Sequence, residues 1–281
     1  MSLEAPAEAL ARIVTRALAE DLGDLGDVTT TAIVPAGTPM TGVIRSRESG
    51  RIAGVDAIRI VLSRLPEPAS ATIVAADGSE VAAGGTIALL TGGARTLLTG
   101  ERVMLNLLGR LSGIATATAA VVKAVRGTGV AVKDTRKTTP GLRLLEKYAV
   151  ACGGGVNHRS GLYDAILIKD NHIGVAGSIT IAVGRVRSSL GRRFPVQVEV
   201  DTLEQLDEAL DCGVTSVLLD NMTPGQLRTA VKKVGHRCHT EASGGVTLAN
   251  VRAVAETGVD SISLGWLTHS ARSLDIGLDI D

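Results

Sequence analysis

Six short apolar runs alternate with helical segments after about residue 115, and this alternation constrains the fold more than any other feature of the chain. The runs cover residues 130–133, 165–169, 196–200, 216–220, 237–241 and 260–264. Helix starts between them are marked by Thr139 before Pro140, by Thr202 with Gln205, and by Thr223 before Pro224 with Gln226. Strands that alternate with helices form a parallel sheet, either doubly wound or closed into a barrel.

Polar residues end five of these runs, and glycine follows the sixth. The residues are Lys133 with Asp134, Lys169 with Asp170, Glu199 with Asp201, Asp220 with Asn221, Glu241 with Ser243, and Leu264 with Gly265. A barrel gathers the carboxyl ends of all its strands around one mouth, whereas a doubly wound sheet concentrates functional groups at one switch point. The sequence therefore predicts an α/β barrel of six strands over residues 115–268.

The first 114 residues show a different pattern. Leu10, Val14 and Leu18 recur at helical spacing, and short β-type runs between residues 41 and 98, including RTLLT, are separated by glycine-containing turns around one helix near 56–64. Residues 101–114 predict a helix that is apolar on nearly every side, which we expect to be buried between domains or subunits. We predict an α+β domain over residues 1–114, with a strand from the tail, residues 269–281, packed on it.

Composition excludes several classes of protein. Lys plus Arg and Asp plus Glu are equal at 29 each, and only 1% of residues are aromatic, so neither nucleic acid nor an anionic membrane is expected as a partner. Charge or glycine interrupts the apolar stretches and no leader is recognised, so we expect a cytoplasmic protein with no membrane span. Cys152, Cys212 and Cys238 lack metal-ligand or redox spacing, which predicts reduced, buried thiols.

Positive charge is concentrated between residues 130 and 172. This segment holds four of the seven lysines of the chain, Lys133, Lys137, Lys147 and Lys169, together with Arg136, Arg143, His158 and Arg159. Charges at the ends of buried strands favour a binding site over a solvated surface. The segment therefore predicts a site for a polyanion.

Two glycine-containing strand ends complete the predicted site. Ser243-Gly244-Gly245 and Leu264-Gly265 are typical of the phosphate cradle that barrels build from their last two loops. At the same mouth, Glu199 and Asp220 have two interpretations. They either form salt bridges to Lys169 or Arg136, or they hold ribose hydroxyls, bind Mg²⁺ through water and stabilise positive charge on a sugar ring. The combined features indicate a phosphorylated sugar and a second small polyanion as ligands.

Several long motifs resemble the quinolinate phosphoribosyltransferase family, also called nicotinate-nucleotide pyrophosphorylase (carboxylating). They are GERVMLNLLGRLSGIAT, KDTRKTTPGLR, KYAVACGGGVNHRSGLYDAILIKDNH, VEVDTLEQ, LLDN, EASGG and LGWLTHS. The resemblance implies phosphoribosyl transfer from phosphoribosyl pyrophosphate (PRPP) to quinolinate, giving nicotinate mononucleotide, pyrophosphate and CO2. It further implies an N-terminal open-faced sandwich, an incomplete six-stranded α/β barrel, and a homodimer, with a higher oligomer left open.

The resemblance also implies a role for each matching residue. Quinolinate would be bound by Arg136, His158, Arg159 and Lys169, with Arg102 entering from the partner subunit. Lys137 would bind PRPP, Glu199 and Asp220 would lie near ribose and metal, and Ser243, Gly244, Gly245 and Gly265 would bind the 5-phosphate. We treat Lys169, Glu199 and Asp220 as the candidate catalytic residues and Mg²⁺ as the implied cofactor.

Two alternatives from other classes stay open at this point. Lys169 could form a Schiff base, as in barrel aldolases, if it were a desolvated amine. A binding protein for phosphorylated metabolites, or a related barrel enzyme with another anionic substrate, would also use a cationic mouth. The presence of Glu199 and Asp220 favours an enzyme over a binding protein.

Overall fold

A computed structural model describes residues 6–191 and 193–280, which form two compact units. The first unit comprises residues 6–119, 138–154 and 266–280, and the second comprises residues 120–137 and 155–265. Residues 115–119, 138–154 and 266–268 therefore group with the first unit, although the sequence analysis placed them in the barrel segment.

The elements alternate along the chain much as the sequence pattern suggests. The strands are β1 (Pro39–Ser46), β2 (Gly50–Arg51), β3 (Ala69–Ile73), β4 (Glu80–Val81), β5 (Thr86–Gly93), β6 (Ala131–Lys133), β7 (Ile166–Ile168), β8 (Val196–Val200), β9 (Ser216–Asp220), β10 (His239–Ser243), β11 (Ser261–Ser263) and β12 (Ile276–Ile280). The helices are α1 (Ala7–Leu22), α2 (Val28–Ile33), α3 (Asp56–Leu62), α4 (Ala94–Ala124), α5 (Arg143–Cys152), α6 (Asp170–Ala176), α7 (Ile179–Leu190), α8 (Leu203–Asp211), α9 (Pro224–Val234), α10 (Val251–Ala255) and α11 (Trp266–His269).

The first unit is built on an antiparallel sheet with the strand order β12-β1-β5-β3. The tail strand β12 pairs with β1, so that Leu278 lies opposite Ile44. Alternate residues of the strands, including Ile44 and Ile87, join one core with Val14 of α1 and Ile58 of α3. Strands β2 and β4 form a separate short ladder.

Helix α4 is longer than the sequence analysis predicted. It begins at Ala94 and runs for 31 residues, so RTLLT, which we expected to be a strand, lies in its first turns. By length and composition it could also cross a membrane, contrary to our expectation, although 56% of its most apolar window is buried within the protein. Core helices of soluble proteins have the same properties.

The second unit carries a parallel sheet of six strands in the order β6-β11-β10-β9-β8-β7. The two edge strands, β6 and β7, are consecutive in sequence, as expected for a barrel that is open at one seam. A single bridge between Lys133 and Val156 extends the β6 side. The predicted incomplete six-stranded α/β barrel, with a separate antiparallel sheet, is confirmed.

Two of the three predicted helix starts are confirmed. Thr202 accepts a hydrogen bond from the Gln205 N–H at the start of α8, and Thr223 forms a capping box with Gln226 at the start of α9. The start at Thr139 is wrong, because both its N–H and its hydroxyl donate to the buried carboxylate of Glu146. Helix α5 begins later, at Arg143.

Strand β10 begins two residues later than predicted, at His239, and ends at Ser243. Its register with β9 pairs Ser243 with Asp220. Glu241 is therefore an interior residue of the strand and not its end. This shift moves the Glu241 carboxylate from the predicted mouth into the barrel.

All three cysteines are free thiols. Cys152 is buried, as predicted, and burial raises the pKa of its thiol to about 12. Cys212 and Cys238 are only partly buried, so the prediction of buried thiols is wrong for these two.

Candidate active site

The carboxyl ends of the barrel strands bring four of the predicted residues to one side of the second unit. Lys169 immediately follows β7 and is the N-cap residue of α6. Glu199 is the penultimate residue of β8. Asp220 and Ser243 are the final residues of β9 and β10. Because parallel strands end on the same edge of a sheet, these side chains share one mouth.

An ion pair joins the two catalytic candidates Lys169 and Glu199. The Lys169 Nζ lies 2.7 Å from Glu199 Oε2. The lysine side chain is 45% exposed, whereas the Glu199 side chain is only 10% exposed. The predicted salt bridge between Glu199 and Lys169 is therefore present. The Lys169 side chain is open to solvent, so an anionic ligand could contact its ammonium group while the ion pair with Glu199 stays in place.

The end of β9 is connected to the glycine-rich loop after β10. The Asn221 N–H donates to the Ser243 carbonyl at 2.9 Å, and Asn221 Nδ2 donates to Asp220 Oδ2 at 2.7 Å. Gly244 and Gly245 both adopt positive φ angles, +83° and +63°. Such angles turn the backbone sharply and favour glycine. The conformations of these two glycines therefore set the shape of the loop, as expected for a loop that binds phosphate through backbone N–H groups.

The two glycines give a matched pair of substitutions. A Cβ at Gly244 would clash with Asn221 Oδ1 and lie 2.9 Å from the Asn221 N, whereas a Cβ at Gly245 would meet nothing within 4 Å. We expect Gly245→Ala to lose about 1 kcal/mol of unfolding free energy from its positive φ alone. Gly244→Ala should lose roughly 1–3 kcal/mol more, because Asn221 must move. Urea unfolding measures both losses, and equal losses would contradict the packing argument.

Arg136 and Arg159 are neighbouring positive charges, and Asp164 offsets part of the charge of Arg159. Within residues 6–191 and 193–280, neither guanidinium group forms an ion pair, and the buried Nε of Arg136 has no hydrogen-bond partner. Burial lowers the pKa of Arg159, and the nearby charge of Arg136 lowers it further. Arg159 Nη1 is fixed by the Ala165 carbonyl at 3.0 Å. Two adjacent guanidinium groups with an unused buried donor are suited to bind a carboxylate anion.

Other predicted residues occupy different positions. His158 points into the barrel, where its ring Nε2 lies 3.2 Å from Gln197 Oε1. Its backbone N–H donates to the Asp134 carboxylate at 2.8 Å. Lys137 is exposed and follows β6, and Gly265 follows β11 and is half-buried. Both therefore lie after carboxyl ends of barrel strands.

Arg102 belongs to the first unit. It is exposed on α4 and lines a surface cavity of about 480 Å³ with Asn106, Ser273 and Asp275. Its guanidinium group donates no hydrogen bond to any residue in the described part of the chain. An exposed arginine without a local partner fits a role toward another molecule.

Two lysines of the predicted positive cluster, Lys133 and Lys147, do not face the mouth of the barrel. Lys133 projects inside the barrel, where its Nζ lies 2.8 Å from Glu241 Oε2. Lys147 is 2% exposed and lies in α5 of the first unit. The cluster read from the sequence therefore divides between a mouth, a barrel interior and the other unit.

Glu241 is the polar residue of the barrel that sequence reasoning missed as a site component. It is fully buried and lies near Lys133, Gln197, Ser261 and His158. Burial by itself would raise the pKa of this carboxyl, but the neighbouring His158 and the positive charge of Lys133 hold the pKa at about 2. Its sequence signal is the alternation of polar side chains at 239, 241 and 243 within a buried strand.

The low pKa of Glu241 should make the free energy of unfolding depend on pH in the acid range. Because folding lowers this pKa from 4.5, the ionised carboxylate stabilises the fold fully above that value and the contribution is lost as the pH falls toward 2. Between about pH 5 and 2, the unfolding free energy of the wild type should therefore fall by about 3 kcal/mol more than that of Glu241→Gln. Denaturant titrations at several pH values test this, and parallel pH curves for the two proteins would contradict it.

No group of three or more His, Cys, Asp or Glu side chains forms a ready metal centre within the residues that the structure describes. Glu199 and Asp220 each keep one carboxylate oxygen that receives no hydrogen bond there. A divalent ion would therefore depend on oxygen ligands from water and substrate, with these two carboxylates as outer partners.

Comparison with known proteins agrees with this geometry. Residues 27–112 match the N-terminal domain and residues 114–279 the C-terminal domain of quinolinate phosphoribosyl transferase. The chain belongs to the quinolinate phosphoribosyltransferase family. The nicotinate-nucleotide pyrophosphorylase (carboxylating) of Mycobacterium leprae is 48% identical over 95% of both chains. A protein from Bacillus subtilis with the same name, marked as probable, is 44% identical over 96% of this chain and 93% of its own.

Solved structures show the same relationship to the quinolinate phosphoribosyltransferase family. The nicotinate-nucleotide pyrophosphorylase from Francisella tularensis superposes with a TM-score of 0.94 at 37% identity, covering 99% of this chain and 98% of that one. The enzyme from Ehrlichia chaffeensis gives a TM-score of 0.92 at 41% identity, covering 96% and 98%. Both the barrel and the antiparallel sheet are therefore features of the family.

Proposed function

We propose that this chain transfers the phosphoribosyl group of PRPP to quinolinate, giving nicotinate mononucleotide, pyrophosphate and CO2. The observation that carries the proposal is that Arg136 and Arg159 form no ion pair among the described residues and share one unit with the glycine-rich loop after β10. Arginines bind planar carboxylates well, and backbone N–H groups of a glycine turn suit a phosphate. One unit thus offers separate sites for a dicarboxylate and a sugar phosphate.

Charge governs the first chemical step. The nitrogen of the anionic pyridine must approach the anomeric carbon of an anionic donor, and fixed cations at the mouth reduce that repulsion. Arg136, Arg159 and Lys169 would hold the two carboxylates, while Lys137 would bind PRPP. As the bond from the anomeric carbon to pyrophosphate breaks, Glu199 and Asp220 would stabilise the positive charge that develops on the ribose.

Mg²⁺ is proposed as the cofactor. Glu199 and Asp220 would hold it through water, beside the oxygens of pyrophosphate. The ion would neutralise charge on the leaving pyrophosphate. The fit rests on the two carboxylates at neighbouring strand ends, each with an oxygen free of hydrogen bonds among described residues.

Loss of CO2 follows from the first step. Once the ring nitrogen carries the ribose it is positively charged, so it stabilises the electron pair left on the adjacent carbon when the bond to the 2-carboxylate breaks and CO2 leaves. That pair remains on the ring carbon, which then takes up a proton. Lys169 is a candidate donor by its position at the mouth.

The decisive test is release of CO2 from carboxyl-labelled quinolinate, which should require both PRPP and Mg²⁺. Nicotinate lacks the 2-carboxylate and cannot engage the Arg136 and Arg159 pair fully, so its kcat/KM should be lower by more than about a hundredfold. Competition assays and turnover with each acid measure this. CO2 release without PRPP, or equal use of nicotinate, would contradict the proposal.

A Schiff-base aldolase is not supported by the surroundings of Lys169. Its amine is paired with Glu199 at 2.7 Å and nearly half of its side chain is exposed. Schiff-base chemistry requires a desolvated amine. Borohydride trapping with a carbonyl substrate should therefore leave Lys169 unmodified.

We further propose a homodimer in which Arg102 of each protomer completes the partner's site. The exposed position of Arg102 on α4, without a local partner in the described chain, supports this arrangement. Two-fold symmetry would make the exchange reciprocal. A cytoplasmic location is proposed from the three free cysteines, which suit a reducing compartment.

A further inference from the structure

Glu241 lies at the centre of a polar group inside the barrel, and one member of that group, His158, is a predicted quinolinate contact. Its side chain is 0% exposed. Lys133 Nζ lies 2.8 Å from Oε2, and Gln197 Nε2 and Ser261 Oγ donate to the same oxygen at 3.3 and 3.4 Å. A buried carboxylate is costly unless it is paired and hydrogen-bonded, so these partners are held in place by its charge.

Gln197 carries this constraint toward the mouth. Its amide nitrogen donates to Glu241, while its amide oxygen lies 3.2 Å from His158 Nε2. His158 Nε2 is also 3.4 Å from Glu241 Oε1. The Gln197 amide thus contacts the inner edge of the imidazole ring, and Glu241 Oε1 lies beside that edge without a hydrogen-bond partner among the described residues.

The opposite edge of the imidazole faces the loop of Arg159. The Arg159 N–H donates to His158 Nδ1 at 2.7 Å. Because Nδ1 accepts this hydrogen bond, the ring proton is assigned to Nε2, which donates into the barrel toward Gln197. Both ring nitrogens of His158 therefore act within the protein, and the ring links the barrel interior to the Arg159 backbone.

We propose that Glu241 is a positioning residue for the quinolinate site, acting through Gln197 and His158 on the Arg159 guanidinium without touching substrate. The inference rests on the proposed function, because it takes Arg159 as a quinolinate contact. The alternative is that Glu241 only neutralises Lys133 and supports the fold. The two roles differ at Gln197, which contributes to the path toward Arg159 but not to the ion pair.

The test compares three variants by kinetics, quinolinate calorimetry and thermal unfolding. Glu241→Gln keeps the shape of the side chain and removes its charge. Gln197→Leu interrupts the path and leaves the Lys133 ion pair in place. Thr240→Val is the matched control, since Thr240 is buried one residue earlier on β10 and its hydroxyl exchanges hydrogen bonds with Asp260.

The proposal predicts that Glu241→Gln and Gln197→Leu raise the quinolinate KM and Kd by about tenfold, with the PRPP KM within about twofold of wild type. Thr240→Val should lower the melting temperature and leave both KM values unchanged. If Glu241→Gln does not fold, Gln197→Leu decides alone. A wild-type quinolinate KM and Kd in Gln197→Leu, or equal rises in both KM values, would overturn the proposal. Absence of turnover in the wild-type protein would instead refute the proposed reaction.

Discussion

Replacing Lys169 or Arg136 with alanine is expected to lower kcat/KM by more than about a hundredfold, a loss of at least about 3 kcal/mol in transition-state stabilisation. Each side chain would neutralise a carboxylate of bound quinolinate, and removing it leaves that anion unpaired. The Lys169 Nζ also lies 2.7 Å from Glu199 Oε2, so Lys169→Ala should leave the carboxylate proposed to stabilise the ribose without the partner that positions it. Steady-state kinetics with both substrates measure the effect.

Two exposed residues on α9 provide controls for these variants. Lys232→Ala and Arg228→Ala remove the same kinds of charge from the same unit, at positions outside the mouth. Both controls should retain wild-type kcat/KM. Thermal unfolding should show that Lys169→Ala and Arg136→Ala remain folded. Near wild-type kcat/KM in either mouth variant would refute the assignment of that residue.

The architecture of the barrel could be predicted from sequence because its signals are local. Apolar runs mark the strands, and Thr202 and Thr223 cap helices through side chains within three residues. Polar residues at the ends of the runs indicated a common mouth, and Lys169 and Asp220 do lie at strand ends. Such features depend on few residues and need no knowledge of distant contacts.

The depth of Glu241 in the barrel could not be predicted in the same way. A two-residue shift of β10 keeps every side chain on its face, since the strand period is two, but moves each one along the barrel axis. That displacement decides whether Glu241 is a carboxylate at the mouth or a buried partner of Lys133. The register is set by pairing with β9, which is a long-range contact.

The start of α4 shows the same limitation. Leu97 and Thr96 belong to a segment with strand-like composition, but Leu97 is buried in the core of the first unit. The Thr96 hydroxyl exchanges hydrogen bonds with the backbone of Glu67. Tertiary packing therefore decides a conformation that local preference leaves ambiguous.

Mixing two inactive proteins should restore activity if the sites are shared between subunits. Arg102→Ala and Lys169→Ala place their lesions in different units of the chain, on α4 and at the end of β7. In a heterodimer with reciprocal sites, one site receives both lesions and the other receives neither. Random exchange yields heterodimers in half of the molecules, each with one intact site, so about a quarter of wild-type activity is expected.

Two measurements make the mixing result decisive. Differently tagged subunits show by co-purification that exchange has occurred, and thermal unfolding shows that each single variant is folded. Mixing Lys169→Ala with Arg136→Ala is the matched control, because both lesions lie in the barrel unit and every site in every dimer carries one of them. That mixture should stay inactive. If exchange is demonstrated and the Arg102→Ala mixture is also inactive, then Arg102 acts within its own subunit or not at all, and the shared site is excluded.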